Sequence, residues 1–292
     1  MAEIRSRQIE ANGLSFAIDE AGEGDTLALL LHGFPEARQA WRRQLPVLAD
    51  AGWHVVAPDM RGYGGTTRPA ALDSYRIEHL VDDVAAIFDA LAPKKRILMA
   101  HDWGGVIAWQ VAIRRRAALD GLVILNAPHP AVFARVLRST WRQMFRSWYV
   151  LFFQLPWLPE QQLAANNGEA LVRILKGQSQ NFSPELLEIY RRNIAQPGAA
   201  TAMINYYRAN ATALGRTDGT AEKIATPTLM IWGENDVALD IALTYGNGDF
   251  VSDLAITRLP GVSHWVQEDA PDQVNQLVMQ WARAKGLMPA RV

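Results

Sequence analysis

Apolar and polar positions along the chain fall into two alternating textures. Short alternating segments near residues 4–10 and 14–19 flank Ala11-Asn12-Gly13, a tight-turn signal, and predict a hairpin. TLALLLH (26–32) is a continuous apolar run, as in a strand buried on both faces. A helix is predicted around 38–51 with Trp41, Leu45 and Leu48 on one face, and WHVVAP (53–58) reads as the next buried strand. From 76 to 91 the apolar positions Ile77, Leu80, Val81, Val84, Ile87, Phe88 and Leu91 follow the 3.6-residue helical period. RILMA (96–100), a helix over 103–115 and LDGLVILNA (119–127) continue the alternation, which at this spacing predicts a parallel sheet with helices on both faces.

From about residue 131 the texture changes. Up to about 220 the chain is helical and rich in aromatic residues, with no clear strand. TPTLMIWG (226–233) and LAITRLP (254–260) then resume the strand pattern, and a helix over 271–285 closes it. The expected organisation is a core of 1–130 with 221–292, and an inserted helical cap over 131–220.

Composition narrows the function classes. The chain has 292 residues, 49% hydrophobic and 20% charged, with a net charge of −1. A charge so near zero supplies no general field for nucleic acid or an anionic membrane. Cysteine is absent, so there is no disulfide, thiolate metal site or cysteine nucleophile, which fits a reducing compartment. The opening MAEIRSRQIEANG lacks the apolar core of a signal peptide, and the most apolar stretch, WYVLFFQLPWL (148–158), is too short to span a bilayer. A cytoplasmic protein without a membrane span is expected. No metal-ligand spacing stands out, and GYGGTT (62–67) lacks the third glycine of a dinucleotide loop, so no cofactor or metal is expected.

Ligands of a doubly wound sheet gather at the carboxyl ends of its strands, where LHGFPE (31–36), AHDWGG (100–105), WGENDVAL (232–239) and GVSHW (261–265) all fall. The spacing Ala100-x-Asp102-x-Gly104 matches the strained elbow that lifts a nucleophile above such a sheet, but with aspartate in place of serine. The order nucleophile, acid, histidine is met by Asp102, Asp236 and His264, with Glu234 and Asp240 as rival carboxylates. A serine attacking saturated carbon would leave an inert ether. A carboxylate instead gives an ester whose carbonyl belongs to the enzyme and which water can cleave. An aspartate at the elbow therefore points to epoxides or alkyl halides. Backbone N–H groups of Phe34 and Trp103 are the natural oxyanion donors. His32 is expected to shape the oxyanion loop and His101 to lie behind the nucleophile. Glu36 either orients neighbouring loops or is solvated.

HGFPEARQAWRRQLPVLADAGWHVVAPDMRGYGGTTRP (32–69), HDWGGVIAW (101–109), NYYR (205–208) and GVSHWVQEDAP (261–271) together make the chain resemble the epoxide hydrolase branch of the α/β-hydrolase superfamily over nearly its whole length. The resemblance implies an α/β-hydrolase fold, a mostly parallel twisted sheet flanked by helices with an inserted helical cap. It favours Asp236 as the acid and implies hydrolysis of a small apolar epoxide by water to a vicinal diol, a detoxifying reaction in character. It also implies a pair of ring-opening tyrosines, Tyr149 and Tyr207, with Tyr206 as an alternative to the second. Tyr149, Tyr207, Phe34 and Trp103 would then contact substrate. A phenol stays protonated at neutral pH and can donate to the epoxide oxygen as the ring opens.

Two other readings use the same residues. Haloalkane dehalogenation needs a pair of N–H donors converging on the halide, and Phe34 has none where the second is expected. A non-catalytic ligand-binding protein could keep the fold alone. No nucleic acid partner is expected; the oligomeric state, monomer or homodimer, is left open.

Overall fold

In the computed structural model, which describes residues 1–211 and 222–289, a hairpin of β1 (Arg5–Ala11) and β2 (Leu14–Ala21) leads into β3 (Thr26–Leu31). There follow α1 (Leu45–Asp50), β4 (His54–Pro58), α2 (Ile77–Leu91), β5 (Lys95–His101), α3 (Trp103–Ile113) and β6 (Gly121–Leu125). Seven helices come next: α4 (Pro130–Ser139), α5 (Trp141–Arg146), α6 (Trp148–Phe152), α7 (Leu158–Ala164), α8 (Glu169–Gln178), α9 (Pro184–Ile194) and α10 (Ala199–Ala209). The chain closes with β7 (Thr228–Gly233), β8 (Leu254–Leu259), α11 (Val266–Asp269) and α12 (Pro271–Ala284).

The strands form one eight-stranded sheet in the order β1-β2-β4-β3-β5-β6-β7-β8. β2 runs antiparallel to both its neighbours, and from β4 to β8 every pairing is parallel. The unbroken apolar runs of the central strands follow from burial on both faces. Leu27, Leu29 and Leu31 of β3, Leu98 of β5 and Leu122 of β6 join one cluster with α2, α3 and the helical layer. Their alternates Ala28, Leu30, Ile97 and Val123 join a second cluster with α1 and α12. Each such leucine, isoleucine or valine contributes about 1.5–3 kcal/mol by leaving water.

The helix expected over 38–51 is divided. Arg38–Trp41 forms a 3-10 turn and α1 begins only at Leu45, because Pro46 cannot donate to a preceding turn and fits only the first turn of a helix. Trp41, Leu45 and Leu48 still share one buried face. The helical layer enters after β6 and the chain returns to the sheet at β7; the expected layer boundary at residue 220 lies outside the described residues.

Candidate active site

The site is assembled at the carboxyl ends of β3, β5, β6, β7 and β8. Between β5 and α3 the backbone turns sharply through Asp102, which takes φ 48° and ψ −117°, a conformation few non-glycine residues adopt. The turn is possible because its neighbours lack side chains. A Cβ on Gly33 would stand 2.7 Å from Asp102 Oδ1, and one on Gly104 2.7 Å from the His32 carbonyl oxygen. The Phe34 backbone N–H donates to Asp102 Oδ1 at 2.7 Å. Trp103, at the start of α3, is buried, its backbone N–H in the first turn beside the carboxylate.

His264, in the loop after β8, lies between two carboxylates. Its Nδ1 is 2.6 Å from Asp236 Oδ2 and its Nε2 is 3.6 Å from Asp102 Oδ2. Asp236 Oδ1 accepts the Ala238 and Leu239 backbone N–H groups, each at 2.8 Å. Of the rival carboxylates, Glu234 is exposed, and Asp240 caps a 3-10 turn by accepting the Ala242 N–H. Neither faces His264. Burial disfavours the imidazolium, but the charge of Asp236 and the hydrogen bonds of Asp102 and Asp236 outweigh it and raise His264 to about 10. For Asp102 burial works against ionisation, yet its pairing with His264 keeps it below the usual carboxylate range.

A second layer of polar residues fixes this arrangement: His32, Glu36 and His101, already singled out in the sequence, and Asn126 and Arg146, which are not. Asn126, at the end of β6, donates to Asp236 Oδ2 at 2.6 Å and accepts the Gly233 N–H at 2.8 Å. Arg146 of α5 donates to the Asp236 carbonyl oxygen at 2.6 Å. Glu36 is fully buried, not solvated: its Oε2 accepts the Gly33 N–H at 3.1 Å and its Oε1 accepts from Gln267 at 2.8 Å. His101 bridges Glu36 Oε2 and the His264 carbonyl oxygen, 2.9 Å from each. His32 accepts the Met60 N–H at 3.0 Å, beside the Phe34 loop. The only sequence signal for Asn126 is a polar residue ending a buried strand.

From the helical layer, Tyr149 on α6 and Tyr207 on α10 meet above Asp102, ring centroids 5.9 Å apart. Phe34 packs edge-on against Tyr207 at 5.4 Å and Trp103 does so at 5.0 Å. Tyr206 turns the other way and donates its hydroxyl to the Arg61 carbonyl oxygen at 2.8 Å, as adjacent helical residues about 100° apart require. The Tyr149 hydroxyl has no hydrogen-bond partner among the described residues. Burial, then the charge of Asp102, raises both the Tyr149 and Tyr207 phenols above their usual value. Two cavities, of about 750 Å³ and 250 Å³, both include Asp102, Tyr149 and Tyr207 in their walls. The larger also includes Phe34 and His264, the smaller Trp103 and Asn126.

A family model described as alpha/beta hydrolase fold matches residues 28–271. Epoxide hydrolase 4 of Mus musculus is 38% identical over 95% of this chain and 78% of its own length. An AB hydrolase superfamily protein of Bacillus subtilis is 35% identical over 96% of this chain and 98% of its own. Among solved structures, a Bacillus megaterium epoxide hydrolase in complex with an inhibitor superposes with a TM-score of 0.87 at 28% identity, covering 95% of this chain and all of that one.

Proposed function

The chain belongs to the alpha/beta hydrolase fold family, within its epoxide hydrolase branch, and on that premise we propose that it hydrolyses epoxides to vicinal diols through an ester on Asp102. The observation that carries the reading is an aspartate at the elbow that shares one cavity with two tyrosine side chains, Tyr149 and Tyr207. Helices α4–α10 act in it as a cap that supplies both phenols.

Asp102 Oδ2 attacks an epoxide carbon while its Oδ1 rests on the Phe34 N–H. The C–O bond of the ring breaks as Tyr149 or Tyr207 gives its proton to the departing oxygen, yielding a hydroxyalkyl ester and a phenolate. Loss of the Asp102 charge removes one of the two carboxylates that keep His264 protonated, so its pKa falls. The proton His264 sheds balances the one the phenolate regains through cavity solvent. Neutral His264, its Nδ1–H held by Asp236, then takes a proton from water, and the hydroxide attacks the ester carbonyl. The Phe34 and Trp103 N–H groups bear the developing oxyanion, and losing one such donor costs about 2.7–4 kcal/mol of barrier. Collapse of the intermediate expels the diol and restores Asp102.

Incubation with styrene oxide and, separately, 1-chlorobutane tests the reading: diol from the first without halide from the second is expected. Halide release with no epoxide turnover would instead identify a dehalogenase, and no turnover of either a binding protein.

A further inference from the structure

The segment from Trp141 to Phe152 turns two long polar side chains inward, Gln143 and Arg146, while Arg142 and several large apolar side chains face out. Gln143 is fully buried, with its Nε2 bonded to the Ala238 carbonyl oxygen at 3.0 Å and its Oε1 to the Asp240 N–H at 2.8 Å, and Arg146 reaches the Asp236 carbonyl. Tyr149, Val150 and Phe152 pack against the core, whereas Trp141 (67% exposed), Phe145 (71%), Trp148 (62%) and Leu151 (76%) face outward. Their spacing of three or four residues puts them on one stripe of the nearly continuous α5–α6 helix, where a globular chain would turn its apolar side to the core. The inward hydrogen bonds hold this orientation, so the stripe is not a surface accident of a loose helix.

Charge separates the possible partners. Between Asp120 and Glu160 the sequence has no carboxylate, while Arg135, Arg138, Arg142 and Arg146 all fall there, in a chain whose total charge is −1. Arg135 pairs with Asp249, and Arg146 is held inward, but Arg138 and Arg142 are exposed and make no ion pair among the described residues. Pairing of this face with its own copy about a two-fold axis would bring these arginines together without a compensating carboxylate from the segment. Exposed tryptophan and phenylalanine flanked by arginine fit the headgroup layer of an anionic bilayer, where aromatic rings reach the acyl boundary and cations meet lipid phosphate. Trp148 also lines the mouth of the larger cavity, together with exposed Ile174 and Val237. Among the described residues no helix is long and apolar enough to cross a membrane, so the contact would be peripheral.

We propose that the face carrying Trp141, Phe145, Trp148 and Leu151, with Arg138 and Arg142, docks on an anionic phospholipid surface and opens the larger cavity toward the lipid. The near-neutral total charge concealed this because it averages a basic, aromatic face with a mildly acidic remainder. The docking does not depend on the reaction, and its test reads binding alone.

The full chain is co-sedimented with vesicles of phosphatidylcholine, and with vesicles of equal parts phosphatidylcholine and phosphatidylglycerol. Binding to the second only is expected, weakening as salt rises from ~0.1 M to ~1 M. The double variant Trp141→Ser with Phe145→Ser, and separately Arg138→Glu with Arg142→Glu, should each lower the bound fraction about tenfold while unfolding at the wild-type temperature. Neither pair lines the cavities. Equal binding to both vesicles, or to neither, overturns the proposal. So does a dimer, seen by light scattering, that the Trp141→Ser/Phe145→Ser variant dissociates, since a second copy would then cover the face.

Discussion

Asp236 accepts hydrogen bonds from Asn126, from the Ala238 and Leu239 amides and from His264, all within 2.8 Å, whereas Tyr149 is held by ring contacts with Phe153 and Tyr207 at 5.8 and 5.9 Å. The sheet half of the site is thus positioned by directional bonds to backbone and buried amides, and the helical half largely by aromatic packing, which leaves the Tyr149 hydroxyl without a hydrogen-bond partner among the described residues. Directional bonds suit groups that must exchange charge at fixed distances through two chemical steps. Packed rings suit groups that must meet substrates of different shape. In the proposed cycle the two halves also divide the labour: the helical layer assists ester formation, the sheet side governs ester cleavage.

Five substitutions, the two tyrosine changes taken together and singly, test that division. Asp102→Asn removes the nucleophile and should lower turnover of styrene oxide by roughly 10⁵-fold or more, the scale on which nucleophile loss acts in triad enzymes. His264→Gln should leave ester formation in place and slow its cleavage by about 10²–10⁴-fold, so that mass spectrometry finds one alkyl group on the peptide holding Asp102. Tyr149→Phe with Tyr207→Phe should act on the other step. Stopped-flow tryptophan fluorescence is expected to show alkylation slowed by roughly 10²-fold or more, with hydrolysis of preformed ester unchanged. Either tyrosine alone should cost about tenfold, because the other phenol still faces the oxygen. Asn126→Ala, which removes a hydrogen bond to a charged group, should slow ester cleavage by about tenfold to a hundredfold, at about 1.5–3 kcal/mol per bond, and leave alkylation alone. Equal slowing of both steps by the His264, the double tyrosine or the Asn126 variant would erase the distinction between the halves.

A test of stability rather than turnover lies where the sheet side meets the helical layer. His129 follows β6 and accepts the Ala131 N–H at 3.2 Å to cap α4, and burial lowers its pKa to about 4. A histidine depressed in the folded state takes up its proton first in the unfolded chain. The stability it permits is present above pH ~6.5 and is lost as pH falls toward about 4. Urea unfolding should therefore show a loss of up to about 3 kcal/mol across that window, which His129→Asn, a competent cap without a titrating ring, reduces.

The same contrast explains what the sequence made legible. Strands β3, β5, β6 and β7 are legible because burial on both faces demands unbroken apolar runs, and Asp102 and His264 because of elbow spacing and chain order, whereas Asp236 is set apart from Glu234 and Asp240 only by family resemblance. Tyr149 and Tyr207 came only through family resemblance, since a lone tyrosine in an aromatic helix has no local signature of facing inward; the choice between Tyr206 and Tyr207 needed the Arg61 carbonyl. Asn126 and Arg146 were missed because each bonds to Asp236 from far along the chain, 110 and 90 residues away, where no periodicity reaches. Pro46 is the local signal that divides the helix expected over 38–51, since it fits only the first turn of a helix.

The central claim, that the elbow carboxylate is itself alkylated and then freed by water, is tested most directly by a single turnover of excess enzyme on styrene oxide in heavy-oxygen water. The first diol should carry the aspartate's own oxygen and be unlabelled, while the peptide containing Asp102 gains one solvent oxygen. A labelled first diol with an unlabelled Asp102 would mean that water attacks the epoxide directly, and would contradict the account.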